Sequence, residues 1–169
     1  DKELLAIDKE VMELFKKKIH LYAPLEGDAI ALSDVNDEAF SQEMLGKGMA
    51  IIPTHGLVHS PCDGVVSVLQ ETGHAICITS DEGLEVLIHI GIDTCKLKGL
   101  GFKPLVKQGD HVKTGTPLIG FDLLGIHRAG YDTTVPIVIC NSDDFSDFEN
   151  LYVSTVEKCL KLNLHTFHT

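Results

Sequence analysis

Two periodicities divide the sequence. Over residues 3 to about 18, Leu4, Leu5, Val11, Met12 and Phe15 recur at helical spacing, and Lys16, Lys17 and Lys18 supply the cationic end that a helix dipole favours. From His20 onward the apolar runs shorten and are broken roughly every six to twelve residues by Gly, Pro, Asp or Asn, the punctuation of an all-β chain. These runs predict strands near residues 20–24, 28–32, 48–53, 56–60, 64–70, 74–79, 84–90, 104–107, 111–113, 117–121 and 135–140. Short helical turns are expected over 37–44 and 123–129, and a terminal helix over 148–162.

Turn chemistry sharpens this picture. Ala23-Pro24-Leu25-Glu26-Gly27 is echoed by Ser60-Pro61-Cys62-Asp63-Gly64, and each Pro–acid–Gly turn leads into an apolar strand. The turn–strand–turn of Gly109-Asp110-His111-Val112-Lys113-Thr114-Gly115-Thr116-Pro117-Leu118 resembles biotinyl- and lipoyl-type barrel-sandwich domains. The expected fold is therefore all-β: an antiparallel β-sandwich or barrel-sandwich-like domain with Greek-key-like crossings, short helical turns and an N-terminal helix.

At 169 residues the chain is long enough for one domain with a self-sufficient core. It has no run of about 20 apolar residues to span a membrane, and no secretory signal is visible. It begins at Asp1 rather than methionine, as processing, excision from a longer protein or recombinant expression would each leave it. The net charge of −11, from 14 basic and 25 acidic residues, argues against nucleic acid or anionic lipid as partner. It suits a basic protein, whose approach it would steer, although an acidic surface also serves solubility alone. Cys62, Cys77, Cys95, Cys140 and Cys159 are odd in number, widely spaced and without a Cys-x-x-Cys pair. They are expected to be reduced, buried small hydrophobes in a cytoplasmic chain rather than a disulfide framework or a zinc site.

His89 breaks the apolar pattern inside Leu84-Glu85-Val86-Leu87-Ile88-His89-Ile90-Gly91-Ile92-Asp93-Thr94. Period two puts Leu84, Val86, Ile88 and Ile90 on one face and Glu85, Leu87, His89 and Gly91 on the other, the side more open to solvent. Gly91, lacking a side chain, would let a partner approach closely. His74 holds a similar place in Thr72-Gly73-His74-Ala75-Ile76-Cys77-Ile78-Thr79, sharing a face with Ile76 and Ile78. If the two strands are neighbours, the imidazoles converge.

Imidazole is substantially unprotonated near neutral pH, so one nitrogen can attack phosphorus without a separate base while a hydrogen bond at the other selects it. The phosphoryl group adds about 1.5–2 negative charges. His74 would offset them through a charge-assisted bond worth about 1.5–3 kcal/mol, with Thr72 orienting its ring. Either histidine alone reads as a satisfied core residue; the pairing points to chemistry. His20, His55, His59, His111 and His127 fall in turns or alternating segments, and His165 and His168 in a tail that reads as a poorly ordered end. No role is expected of them.

Leu87-Ile88-His89-Ile90-Gly91-Ile92-Asp93-Thr94 resembles the active-site signature of the glucose-family enzyme IIA domain of the bacterial phosphoenolpyruvate:sugar phosphotransferase system. Phe40-Ser41-Gln42-Glu43-Met44-Leu45-Gly46-Lys47-Gly48, Ala50-Ile51-Ile52-Pro53 and Ser60-Pro61-Cys62-Asp63-Gly64 match as well. So do Val106-Lys107-Gln108-Gly109-Asp110, Gly120-Phe121-Asp122 and Thr134-Val135-Pro136-Ile137-Val138, all in collinear order over roughly 20–141. The resemblance implies an antiparallel β-sandwich that needs no cofactor. It would accept a phosphoryl group from the histidine-containing phosphocarrier protein and pass it to a cysteine of the IIB domain of a sugar permease.

Position by position, the resemblance makes His89 the phosphorylated histidine, His74 its stabiliser and Thr72 the residue that orients His74. Asp37 and Asp93 would flank the site and meet partner arginines. Phe40, Met44 and Leu45 would belong to an apolar docking face, for which an ordinary helix packed on its sheet is the equal alternative. Gln70, Cys77, Leu87 and Cys95 stand where some relatives carry bulkier apolar or aromatic groups, which bears on partner preference rather than chemistry. The implied division is residues 1–19 as N-terminal helix or linker, 20–141 as the IIA domain and 142–169 as a C-terminal extension. The implied location is cytoplasmic, tethered to the inner membrane face if the domain is fused to a permease. Asp8, Glu10 and Glu13 argue against the helix as an anchor on anionic lipid.

Three rival readings share these residues. His89-x-x-x-Asp93 fits the first half of the zinc site of lysostaphin-type metallopeptidases, but the third ligand usually comes from a His-x-His pair and none occurs. His74 and His89 would still bind zinc if a partner supplied a carboxylate. A biotinyl or lipoyl carrier needs a lysine at a hairpin tip, and Lys113, the nearest, lacks the modification motif. A regulatory module, whose unphosphorylated form binds other transporters or enzymes, is compatible with phosphotransfer.

Overall fold

Among the residues that the computed structural model describes, 18–145 and 161–165, short strands dominate. They are β1 (Lys18–Tyr22), β2 (Gly27–Ala31), β3 (Lys47–Pro53), β4 (Leu57–His59), β5 (Gly64–Leu69) and β6 (Ala75–Ser80). Then follow β7 (Glu85–His89), β8 (Phe102–Pro104), β9 (His111–Val112), β10 (Pro117–Phe121), β11 (Val135–Ile139) and β12 (Lys161–His165). Two short helices interrupt them, α1 (Glu38–Ser41) and α2 (Leu123–Arg128). Aspartates start both: Asp37 accepts from the Ala39 amide and Asp122 from the Gly125 amide, each satisfying a donor the first turn leaves unpaired.

The strands form three antiparallel groups. The large sheet runs β2-β3-β11-β7-β6-β5-β9, a smaller one runs β4-β10-β8, and β1 pairs with β12. The all-β antiparallel architecture read from the sequence is the one observed. Residues 3–17 of the expected N-terminal helix and 148–160 of the expected terminal helix lie outside the described residues.

Several boundaries differ from expectation. Lys18 belongs to β1 and Lys161 and Leu162 to β12, because each strand finds its partner in the other, a pairing that local periodicity does not carry. His165 closes β12 rather than lying in a disordered end. The strand expected over 104–107 comes earlier, at β8. Positive φ at Gly99 and Gly101 turns the chain so that Phe102 pairs with Phe121, and Pro104, without an amide hydrogen, sits at the last rung of an edge strand. The two Pro–acid–Gly turns lie side by side, with the Tyr22 amide donating to Pro61 and the His59 amide to Pro24.

The main core lies between the sheets, around Ile51, Val66, Ile76, Ile78, Val86, Ile88, Leu118, Ile119, Val135 and Ile137. Each fully buried aliphatic side chain contributes about 1.5–3 kcal/mol of transfer free energy. A second cluster sits on the outer face of the large sheet, where Leu32, Val35 and Phe40 cover Ala50, Ile92 and Val138, with Leu87 at its margin. Beyond β11 the chain stays packed, since Ser142 Oγ accepts from the Lys47 amide and Phe145 is buried.

The thiols do not share one environment. Cys62 is buried and pushed up to about 12 by desolvation, reinforced by Glu82, Asp63 and Asp81. Cys77 is half-buried, whereas Cys95 and Cys140 are exposed, against the expectation of burial, because they lie on the turn after β7 and just past the end of β11. Cys159 lies outside the described residues. Among those residues no helix is long and apolar enough to cross a membrane.

Candidate active site

Alternation along β7 places the first residue of the site. Val86 and Ile88 point into the core, while Glu85, Leu87 and His89 face outward, His89 half-buried at the edge of the second cluster. β6 is the neighbour of β7, with Ala75 opposite His89 and Ile76 opposite Ile88. Strict alternation would send His74 with Ile76 and Ile78 into the core. It is buried, at 9% exposure, but its ring meets His89 rather than the aliphatic core; it precedes the first rung of β6, just after Gly73 turns at φ +73°. Its carbonyl still accepts from the Ile90 amide at 2.7 Å. The convergence expected from sequence is therefore present: the His74 and His89 ring centroids lie 5.2 Å apart, edge to face at 77°.

The turn after β7 determines which His89 nitrogen is free. His89 Nδ1 lies 2.7 Å from the Gly91 carbonyl oxygen. A carbonyl only accepts, so Nδ1 carries the hydrogen and the lone pair belongs to Nε2. The turn is held by the Thr94 hydroxyl donating to the Ile90 carbonyl and the Ile92 amide donating to Asp132. Gly91 has φ +78°, and a Cβ there would stand 2.5 Å from Thr94 Cγ2 and 3.0 Å from the Asp132 oxygen. Its missing side chain thus makes room for this chain's own turn, not for a partner. The Thr72 hydroxyl bonds His74 Nδ1, so Nε2 is the nitrogen of that ring not engaged by Thr72.

Burial pushes the His89 imidazole below its ordinary range; the Gly91 carbonyl, then Asp37 and Asp93, pull upward without overcoming it. His74 is also lowered, first by burial and then by the neighbouring His89. Both rings are consequently neutral at pH 7, the form in which a nitrogen lone pair is available. Asp37, at the start of α1, and Asp93, in a left-handed turn at φ +59°, are near enough to act on His89.

Of the three residues expected on a docking face, Met44 and Leu45 are exposed, at 70% and 43%. Phe40 is not: it is 5% exposed, packs α1 onto the sheet, and lays its ring 5.3 Å from that of His89. Sequence reasoning missed Phe102, whose ring lies 6.5 Å from His74. It also missed the acceptor role of the Gly91 carbonyl, which only a backbone trace reveals. Among the described residues no group of three or more His, Cys, Asp or Glu side chains is placed to hold a metal ion, so the two imidazoles find no further ligand among those residues.

A family model described as the phosphoenolpyruvate-dependent sugar phosphotransferase system, EIIA 1, matches residues 19–145. This chain belongs to that EIIA family. The chain is 41% identical over 160 residues to a PTS system glucose-specific EIIA component of Staphylococcus epidermidis, covering 95% of this chain and 92% of the relative. It is 48% identical over 126 residues to the PTS system beta-glucoside-specific EIIBCA component of Bacillus subtilis, spanning 75% of this chain but only 21% of that longer protein. Among solved structures it resembles glucose permease IIA from Mycoplasma capricolum, with a TM-score of 0.77, 31% identity and coverage of 91% and 92% of the two chains. The EIIA domain is thus a phosphotransferase component of sugar transport, and the hydrolase, lysine-carrier and purely regulatory readings are not favoured.

Proposed function

We propose that His89 accepts the phosphoryl group through Nε2 from the histidine-containing phosphocarrier protein and passes it to a cysteine of the IIB domain of a sugar permease. The observation that carries this reading is the bond from His89 Nδ1 to the Gly91 carbonyl, which leaves Nε2 as the nucleophile. In the first step the Nε2 lone pair forms the new nitrogen–phosphorus bond. The bond to the donor's imidazole breaks and its electron pair returns to the donor. The His89 ring gains positive charge, which the Gly91 carbonyl, Asp37 and Asp93 all favour. In the second step a thiolate attacks phosphorus and the electron pair returns to Nε2.

His74 is the stabilising group. With the Thr72 hydroxyl donating to Nδ1, His74 carries its hydrogen on Nε2 and offers it to a phosphoryl oxygen, a charge-assisted bond worth about 1.5–3 kcal/mol. The exposed Met44 and Leu45 form the apolar part of the docking face, and Asp37 and Asp93 meet cationic groups on the partners. The setting is cytoplasmic, at the inner membrane face if the chain is joined to its permease. The family match over 19–145, with Phe145 still buried, supports a IIA unit reaching a few residues past the 20–141 read from sequence.

Intact-mass measurement after incubation with phosphoenolpyruvate, enzyme I and the phosphocarrier tests the reading. Wild type is expected to gain one acid-labile phosphoryl group, His89→Gln none, and His74→Gln one that it donates poorly. No gain by the wild type, with the partners active on a control, overturns it.

A further inference from the structure

The two imidazoles stand in a row of four rings. Phe40 lies 5.3 Å from His89, His89 5.2 Å from His74, and Phe102 6.5 Å from His74 with 69° between the planes. Phe40 is accounted for as the buried side chain of α1. Phe102 is only partly buried, at the margin of the main core, and no step described so far uses it.

The contact joins two sheets, since β8 belongs to the small one and His74 leads into the large one. Glycine makes it close. A Cβ on Gly73 would stand 3.0 Å from Pro104 Cγ and 3.2 Å from Phe102 Cβ, so β8 sits directly against the Thr72–His74 turn. A Cβ on Gly99 would lie 3.5 Å from Thr72, and the Phe102 amide donates to the Gly99 carbonyl at 3.2 Å. The segment from Gly99 to Pro104 therefore backs both Thr72 and His74.

An imidazole tied by one hydrogen bond still pivots about its Cα–Cβ and Cβ–Cγ bonds. Thr72 holds one nitrogen of His74, and that alone does not aim the other. Rings on both sides remove the remaining freedom, and a donor already aimed costs no reorganisation when charge moves.

We propose that Phe102 is a positioning residue for His74, holding its imidazole in the orientation in which Thr72 binds one nitrogen and the other meets the phosphoryl group on His89. This rests on the reading of His74 given above. Phe102→Leu keeps the bulk and removes the ring; Phe102→Tyr keeps the ring. Each full-length variant, with wild type and His74→Gln, is assayed for uptake from the phosphocarrier and for donation to the purified IIB domain of the Bacillus subtilis relative. Nitrogen-15 NMR of the imidazoles runs alongside.

For Phe102→Leu, uptake is expected to stay within about twofold of wild type while donation falls about 3- to 10-fold, the scale of one lost aromatic contact. The His74 ring resonances shift and broaden, and Phe102→Tyr restores both. Unchanged donation and unchanged His74 resonances in Phe102→Leu, with His74→Gln impaired, overturn the proposal. Equal loss of both steps without rescue by tyrosine also overturns it, making Phe102 plain core packing. If His74→Gln itself donates normally, the role given to His74 fails instead, and the NMR still decides whether Phe102 orders that ring.

Discussion

Replacing Gly91 with alanine asks whether one backbone carbonyl readies His89. At φ +78° an L side chain costs about 1–2 kcal/mol. The new methyl would also press on Thr94 Cγ2 at 2.5 Å and the Asp132 oxygen at 3.0 Å. Overpacking of that kind costs about 1–3 kcal/mol. Alanine recovers about 0.4–1 kcal/mol by restricting the unfolded chain, leaving a net loss of about 1–4.5 kcal/mol. For a domain of this size that lowers Tm by about 3–14 °C, read by circular dichroism.

The same shift pulls the Gly91 carbonyl off His89 Nδ1. A hydrogen bond to a ring gaining charge is worth about 1.5–3 kcal/mol, so phosphoryl uptake slows about 10- to 100-fold. Quench-flow transfer from the phosphorylated phosphocarrier, run well below the variant's melting point, reads this separately from unfolding. A variant that melts within about 2 °C of the parent refutes the stability argument. One that is destabilised yet accepts phosphate at the parent rate refutes the assignment of Gly91 as the group that frees Nε2.

Burial holds both imidazoles below their ordinary range, so the folded chain binds those protons less readily than the unfolded one. Uptake should stay flat as pH falls through about 6.5 and drop only at the lower folded values; a fall centred above 6.5 contradicts this. Stability follows the same sign: it holds above about 6.5, declines as pH drops from there through the folded values, and declines less in His89→Gln. Thr72→Val removes the hydroxyl from His74 Nδ1 at constant shape and should slow donation to the IIB domain about 3- to 10-fold with uptake nearly unchanged, checked by single-turnover transfer. Phe40→Ala should cost about 3–5 kcal/mol in urea unfolding, because the ring is core rather than surface. Met44→Ala should cost less than about 0.5 kcal/mol while weakening phosphocarrier binding in calorimetry, because that side chain is exposed.

The parts of this site legible in the sequence are those that local period carries. Alternation along β7 put His89 outward, and the adjacency of the strand led by His74, posed from sequence only as a condition, is met by the β6–β7 pairing. Thr72 was legible because it sits two residues from His74, within reach of one side chain. Whatever depends on distant pairing was not. The β1–β12 pair joins residues near opposite ends of the chain, and no pattern in either segment names the other. Phe102 sits in a glycine-flanked run that does not say which sheet it backs. For Phe40 the sequence left a docking face and a helix packed on its sheet as equal readings, and burial on the outer face of the large sheet decides for the second. Gly91 was visible as a glycine, but whether it opens space outward or turns a carbonyl inward depends on φ, which sequence does not print.

The central claim concerns one atom, His89 Nε2. Labelling the histidines with nitrogen-15, phosphorylating the full chain through the phosphocarrier and recording nitrogen–phosphorus couplings identifies the bonded nitrogen. The expected spectrum shows phosphorus coupled to Nε2 of His89, with its Nδ1 still protonated and hydrogen-bonded. Coupling to Nδ1, or to the ring of any other histidine, contradicts it.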